Sequence, residues 1–154
     1  MGMMVETNWV RLQFLSRSEN LSFARAAAAA FIAQLDCTLQ DLEEIKLVVS
    51  EAVSNCIIHA YAGSGNGVIT VELKIYPDRR AEITVEDEGC GIEDVEKAMQ
   101  PAYSTVPERM GLGFVLMKSF VDHLEVDSAL GQGTKVKMVK SFLAVNDGLS
   151  FSGG

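Results

Sequence analysis

The sequence predicts an α/β fold, a two-layer sandwich in which a mixed, mainly antiparallel sheet is covered on one face by helices. Three observations predict it. A period-two run opens the chain, two long stretches between residues 21 and 61 carry apolar residues at helical spacing, and the later β-rich runs come as two hairpin pairs joined by turn-forming residues.

From Trp9 to Ser16, Val10, Leu12 and Phe14 alternate with Arg11 and Gln13, the pattern of a half-buried strand. Ser18-Glu19-Asn20 offers capping residues, and Phe23, Ala27, Phe31 and Leu35, four residues apart, place an amphipathic helix over 21–35. Thr38-x-x-Asp41 resembles a capping box and opens a second helix that runs to about Tyr61. Gly63-Ser64-Gly65-Asn66-Gly67 breaks the chain. Runs 68–76 and 80–87 flank Pro77-Asp78-Arg79 and form a hairpin. A short helix near 93–99 follows, then a proline-marked stretch over 100–110 that reads as a mobile lid. Gly111-Leu112-Gly113 opens a helix to about Val121, and runs 124–128 and 134–142 close the sheet around the turn 129–133.

The chain has 154 residues, enough for one domain with a real core; residues 1–145 are expected to form it and 146–154 a flexible tail. Its 48% hydrophobic and 22% charged composition is that of a globular protein. No apolar run approaches the ~20 residues needed to span a bilayer. The first residues do not read as a secretion signal, so a cytoplasmic location is expected. A net charge of −8 argues against a broad nucleic-acid surface, which depends on many Lys and Arg contacts to phosphate. Cys37, Cys56 and Cys90 form no metal-ligand or redox spacing and read as packing cysteines.

The most informative segment is Ser50 to His59. Glu51, Asn55 and His59 recur at four-residue steps, each advancing ~40° around a helix, and so share one stripe on an otherwise apolar helix. Polar groups in such a place need partners, because an unpaired buried one costs ~1–3 kcal/mol. No Gly-x-x-x-x-Gly-Lys-Ser/Thr segment is present, and no Gly-x-Gly-x-x-Gly follows the first strand, which excludes a P-loop and a dinucleotide fold.

Together, Glu51-x-x-x-Asn55, Asp87-x-Gly89-x-Gly91 and Gly111-x-Gly113 resemble the three boxes of the GHKL, or Bergerat-fold, ATP-binding domains of gyrase, Hsp90, histidine kinases and MutL. The runs Arg17–Asn20, Ser22–Arg25, Ile45-Lys46 and Val48–Val53, with Asn55 and Ile57-Ile58-His59, are similar to the sporulation anti-sigma-F factors, serine protein kinases of that family. The likeness covers roughly residues 9 to 140. Ala60 stands where the family has glycine, Met110 where it has serine, and the lid is about two residues short.

The resemblance implies ATP or ADP held with Mg²⁺ between the second helix, the Asp87 loop and the lid. Asn55 would be the magnesium ligand, its carbonyl oxygen suiting a hard cation that keeps most of its waters. Glu51, one turn earlier, would be the general base. Asp87 would accept the exocyclic amine of adenine, with Gly89 and Gly91 letting the backbone approach the base and Thr134 supporting the contact. Gly111 and Gly113, expected at a helix start, would offer N–H groups to phosphate, and Arg109 would add charge there. Arg25 would contact protein partners. His59 carries a packing reading and a site-supporting one equally, and is assigned no catalytic role.

Neither an upstream helical domain bearing a phosphorylated histidine nor a downstream transducer is evident, so a protein that acts on other proteins is expected. It would bind a sigma factor of the sigma-F type to silence it and phosphorylate a serine on an anti-anti-sigma antagonist. The edge character of the first strand suggests a homodimer. A nucleotide-gated sequestering module without efficient phosphotransfer is the alternative, and a small ATPase without a protein acceptor a third.

Overall fold

The computed structural model describes residues 4–100 and 108–142, with the side chains of residues 108–111 outside the description. Most of the lid expected over 100–110 and the tail expected over 146–154 lie outside the described residues. Strand β1 (Asn8–Leu15) leads to helix α1 (Glu19–Ile32), a short 3-10 turn (Ala33–Leu35) and helix α2 (Leu39–Asn55). The α2 backbone continues through one π turn (Cys56–Ala60). Strands β2 (Val68–Ile75) and β3 (Arg80–Asp87), helices α3 (Val95–Ala98) and α4 (Glu108–Phe120), and strands β4 (His123–Ser128) and β5 (Thr134–Ser141) follow.

The strands form one sheet in the order β1-β2-β3-β5-β4, and every described pairing is antiparallel, where the sequence reading allowed a mixed sheet. Period two decides its faces. Ile69, Val71, Leu73 and Ile75 of β2 and Ala81, Ile83 and Val85 of β3 are buried beneath the helices, whereas Arg11, Glu72 and Lys135 belong to the opposite, charged face. On that face Arg11 reaches Glu72 at 2.8 Å and holds its carboxyl below the usual carboxylate range.

Helix α2 is the spine of the covering layer. Thr38 Oγ1 accepts the Asp41 N–H at 3.0 Å and Asp41 Oδ2 accepts the Thr38 N–H at 3.0 Å, so the capping box is complete with aspartate as its second member. Ile45, Val48, Val49, Ala52 and Val53 then point into the core. Helix α1 begins at Glu19 without a side-chain cap from Ser18; Asn20 instead donates to the Leu15 carbonyl at 3.0 Å. Strand β1 is a sheet edge, and Trp9 on it is 55% exposed.

Helix α4 starts earlier than its glycines suggest. A proline immediately upstream in the sequence and an acidic first residue favour a start at Glu108. Gly111 therefore falls in the first turn, and Gly113 lies beyond it, inside the helix.

Candidate nucleotide site

The alternation that buries Ala81, Ile83 and Val85 carries Asp87 onto the same covered face, where it is only 5% exposed. Burial pushes its carboxyl above the usual range, opposed by hydrogen bonds from the Gly89 N–H at 2.9 Å, the Cys56 thiol and the Thr134 backbone N–H. Cys56 lies beneath it in the π turn, and burial followed by the Asp87 charge raises the thiol well above its ordinary value. The thiol is thus protonated and shares its single proton between Asp87 and the Ala52 carbonyl, 3.4 Å away.

The loop after Asp87 is fixed by close backbone approach. Cys90 N–H donates to the Ala60 carbonyl at 3.1 Å, and a Cβ on Gly89 would collide with that carbonyl. Gly91 has φ +76°, and a Cβ there would collide with the Ala129 carbonyl. These constraints account for the Asp-x-Gly-x-Gly spacing. Tyr61, which the sequence reading passed over, donates its hydroxyl to the Val68 carbonyl at 2.7 Å and accepts the Glu88 N–H at 2.6 Å. It ties the end of α2 to the Asp87 loop.

Along α2 the polar stripe divides. Asn55 and His59 line a narrow cavity of about 30 Å³ with Cys56, Asp87, Gly91, Thr134 and Phe114. Glu51 borders a wider cleft of about 360 Å³ with Leu112, Gly113 and Ser119 of α4. From Glu51 to His59 the helix advances on the order of 12 Å. The π turn, marked by the Tyr61 N–H to Cys56 carbonyl bond of 3.0 Å, ends the stripe next to Asp87. The cleft is tight where α4 crosses it, since a Cβ on Gly113 would stand 3.0 Å from Glu51 Oε2 and 3.6 Å from Asn55 Nδ2. Gly113 thus serves by its missing side chain, whereas a helix-start N–H was expected of it.

Asn55 Nδ2 is buried and has no hydrogen-bond partner among the described residues. Turning the amide by 180° puts its carbonyl oxygen in the same place, an unengaged buried oxygen suited to a hard cation. Among the described residues no group of three His, Cys, Asp or Glu side chains forms a ready-made metal cage. A magnesium ion that keeps most of its waters needs none.

A family model described as a histidine kinase-like ATPase domain matches residues 14–140. The chain is 48% identical over 142 residues to an anti-sigma F factor of Clostridium acetobutylicum, covering 91% of this chain and 98% of that protein. It is 54% identical over 135 residues to one from Caldanaerobacter subterraneus subsp. tengcongensis, covering 86% and 93%. The chain belongs to the histidine kinase-like ATPase family, among its anti-sigma F factors. The RsbU and RsbW domains of Rv1364c from Mycobacterium tuberculosis share the fold, with a TM-score of 0.65 at 18% identity over 88% of this chain and 33% of that one. The mycobacterial sensor histidine kinase MprB shares it at a TM-score of 0.54 and 17% identity, over 87% and 100%.

In this histidine kinase-like domain the fold brings together Glu51, Asn55, His59, Asp87, Gly89, Gly91, Gly113 and Thr134. Arg109 and Gly111 belong to the first turn of α4, with side chains outside the description. Arg25 stays apart: α1 packs on α2, β1 and β2, and Arg25 is half-buried on it, away from the cleft. Among the described residues of this family member, no helix is long and apolar enough to cross a membrane.

Proposed function

We propose that this anti-sigma factor binds ATP with magnesium between α2, the Asp87 loop and α4, silences a sigma factor of the sigma-F type, and phosphorylates a serine of an anti-anti-sigma antagonist. The observation that carries the reading is the placement of Asn55 and the buried Asp87 carboxylate on one cavity, with Glu51 one turn earlier on α2 at the neighbouring cleft beside Gly113. Asp87 would accept the adenine amine, with Gly89 and Gly91 keeping the approach free of side chains. Gly111 and Arg109 would meet the phosphates from the first turn of α4. Asn55 would hold the metal, which when bound supplies charge neutralisation across the phosphates.

Glu51 accepts the proton of the attacking serine hydroxyl as its oxygen bonds to the γ-phosphorus. The bond from the γ-phosphorus to the bridging oxygen breaks, that oxygen leaves with ADP, and the carboxylate becomes a carboxylic acid. Arg25, outside the cleft on α1, would contact the protein partners. A cytoplasmic homodimer joined near the β1 edge is the proposed form of the molecule.

The test mixes the purified chain, Mg²⁺ and γ-labelled ATP with the antagonist protein of the same genome, comparing wild type with Glu51→Gln. Label on an antagonist serine, absent with the variant, supports the kinase reading; label that survives in Glu51→Gln removes Glu51 as its base. The narrowness of the cavity beside Asp87 favours a second reading, a sequestering module gated by nucleotide and poor at transfer. Tight nucleotide binding with no labelled antagonist would establish that alternative.

A further inference from the structure

Three strands end together beside Asp87. Asp87 is the register partner of Thr134 across β3 and β5, and Ser128 is the partner of Thr134 across β4 and β5. The three polar residues thus form a row across the sheet, and their hydrogens can be counted. Ser128 Oγ lies 2.8 Å from the Ile92 nitrogen, 2.9 Å from the Gly133 carbonyl oxygen and 2.8 Å from Thr134 Oγ1.

A serine hydroxyl has one proton and two lone pairs. The Gly133 carbonyl can only accept, so that contact is a hydrogen bond only if Ser128 gives it the proton. The Ile92 N–H can only donate, so it takes one lone pair. The other lone pair is left for Thr134, whose hydroxyl must therefore donate to Ser128. The reverse assignment would leave the Ser128 and Gly133 oxygens 2.9 Å apart with no proton between them. With its proton committed to Ser128, Thr134 has only lone pairs to offer the cavity that it lines with Asp87 and Cys56. Cys56 adds no free donor, because its single proton serves Ala52 and Asp87.

We propose that Ser128 is a specificity-positioning residue: by taking the Thr134 proton it presents Thr134 to the cavity as an acceptor, so that the site takes a purine with a 6-amino group and disfavours its 6-oxo analogue. The proposal rests on the nucleotide reading above and adds to it the residue that sets the polarity of the base pocket. Ser128 acts through Thr134 and need not touch the ligand.

The experiment measures binding of ATP and of inosine triphosphate, each with Mg²⁺, to the full chain by calorimetry. Wild type should prefer ATP. Ser128→Ala frees the Thr134 proton to turn toward a 6-oxo oxygen and should lower the ratio of ATP to inosine triphosphate affinity about tenfold, the worth of one hydrogen bond changing sign. Ser128→Thr keeps the hydroxyl and should keep the wild-type ratio. Thr134→Val leaves the Ser128–Ile92 bond in place and should also lower the ratio, and adding Ser128→Ala to it should lower the ratio no further. An unchanged ratio in Ser128→Ala, or a further fall in the double variant, overturns the proposal while leaving the nucleotide site standing. Failure of wild type to bind ATP overturns the nucleotide reading itself.

Discussion

Glu51 and Gly113 meet across the α2–α4 interface so closely that a Cβ at position 113 would stand 3.0 Å from Glu51 Oε2, tighter than an ordinary contact. The glycine therefore leaves room for the carboxylate. Gly113→Ala should push Glu51 out of line and lower phosphotransfer at least tenfold, because proton abstraction depends on hydrogen-bond reach to the attacking hydroxyl. Single-turnover transfer at saturating ATP measures it, and an unchanged rate would show that the contact has no bearing on Glu51.

Glu51→Gln keeps the shape of that contact and removes the basic oxygen. Transfer should fall by about 10²–10⁴-fold, the usual worth of a general base, with ATP affinity within a factor of a few of wild type. A parallel loss of binding would place Glu51 in ligand gripping instead of proton transfer.

If Asp87 accepts the adenine amine as proposed, Asp87→Asn should weaken ATP binding at least tenfold by exchanging an acceptor for a donor there. It also makes a prediction about pH. Burial, its first cause, raises the folded carboxyl above its ordinary value of 3.8. A raised acid contributes stability that is full below its unfolded value and is lost as pH rises through the folded one. Asparagine does not titrate, so wild type should lose stability relative to Asp87→Asn as pH is raised from below about 4 toward neutrality. Urea melts across that range decide it; a constant gap would argue against a buried, desolvated carboxylate.

Tyr61→Phe removes two contacts at once, the 2.7 Å bond to Val68 and the 2.6 Å bond from Glu88. Stability should drop by about 1–3 kcal/mol, and ATP affinity should fall as the Asp87 loop loses its tie to the end of α2. Denaturation and calorimetry on one preparation separate the effects, and loss of stability with unchanged affinity would make the tie purely structural.

Thr38→Ala breaks the capping box at the far end of α2 and should cost about 1 kcal/mol of stability. ATP affinity should stay at the wild-type level, because Thr38 opens the helix more than three turns before Glu51. An affinity change would mean that the cap, and not packing, sets the angle of α2.

Periodicity in the sequence alone determined the strands, the helices and the polar stripe of Glu51, Asn55 and His59, because a side chain's direction along a helix or strand is fixed by the local backbone repeat. The same alternation carries Asp87 to the covered face, and the spacing of Gly89 and Gly91 marks the close approach of its loop. Only the tertiary structure decided what no local repeat encodes. The π turn that ends the stripe beside Asp87 and the packing of Gly113 on Glu51 were not legible in the chain. Neither was the proton chain from Thr134 to Ser128, since Ser128 reads in sequence only as the last residue of a strand. These features arise where segments far apart in the chain come into register, and the energies that fix them come from close packing and paired hydrogen bonds that exist only after the sheet has assembled.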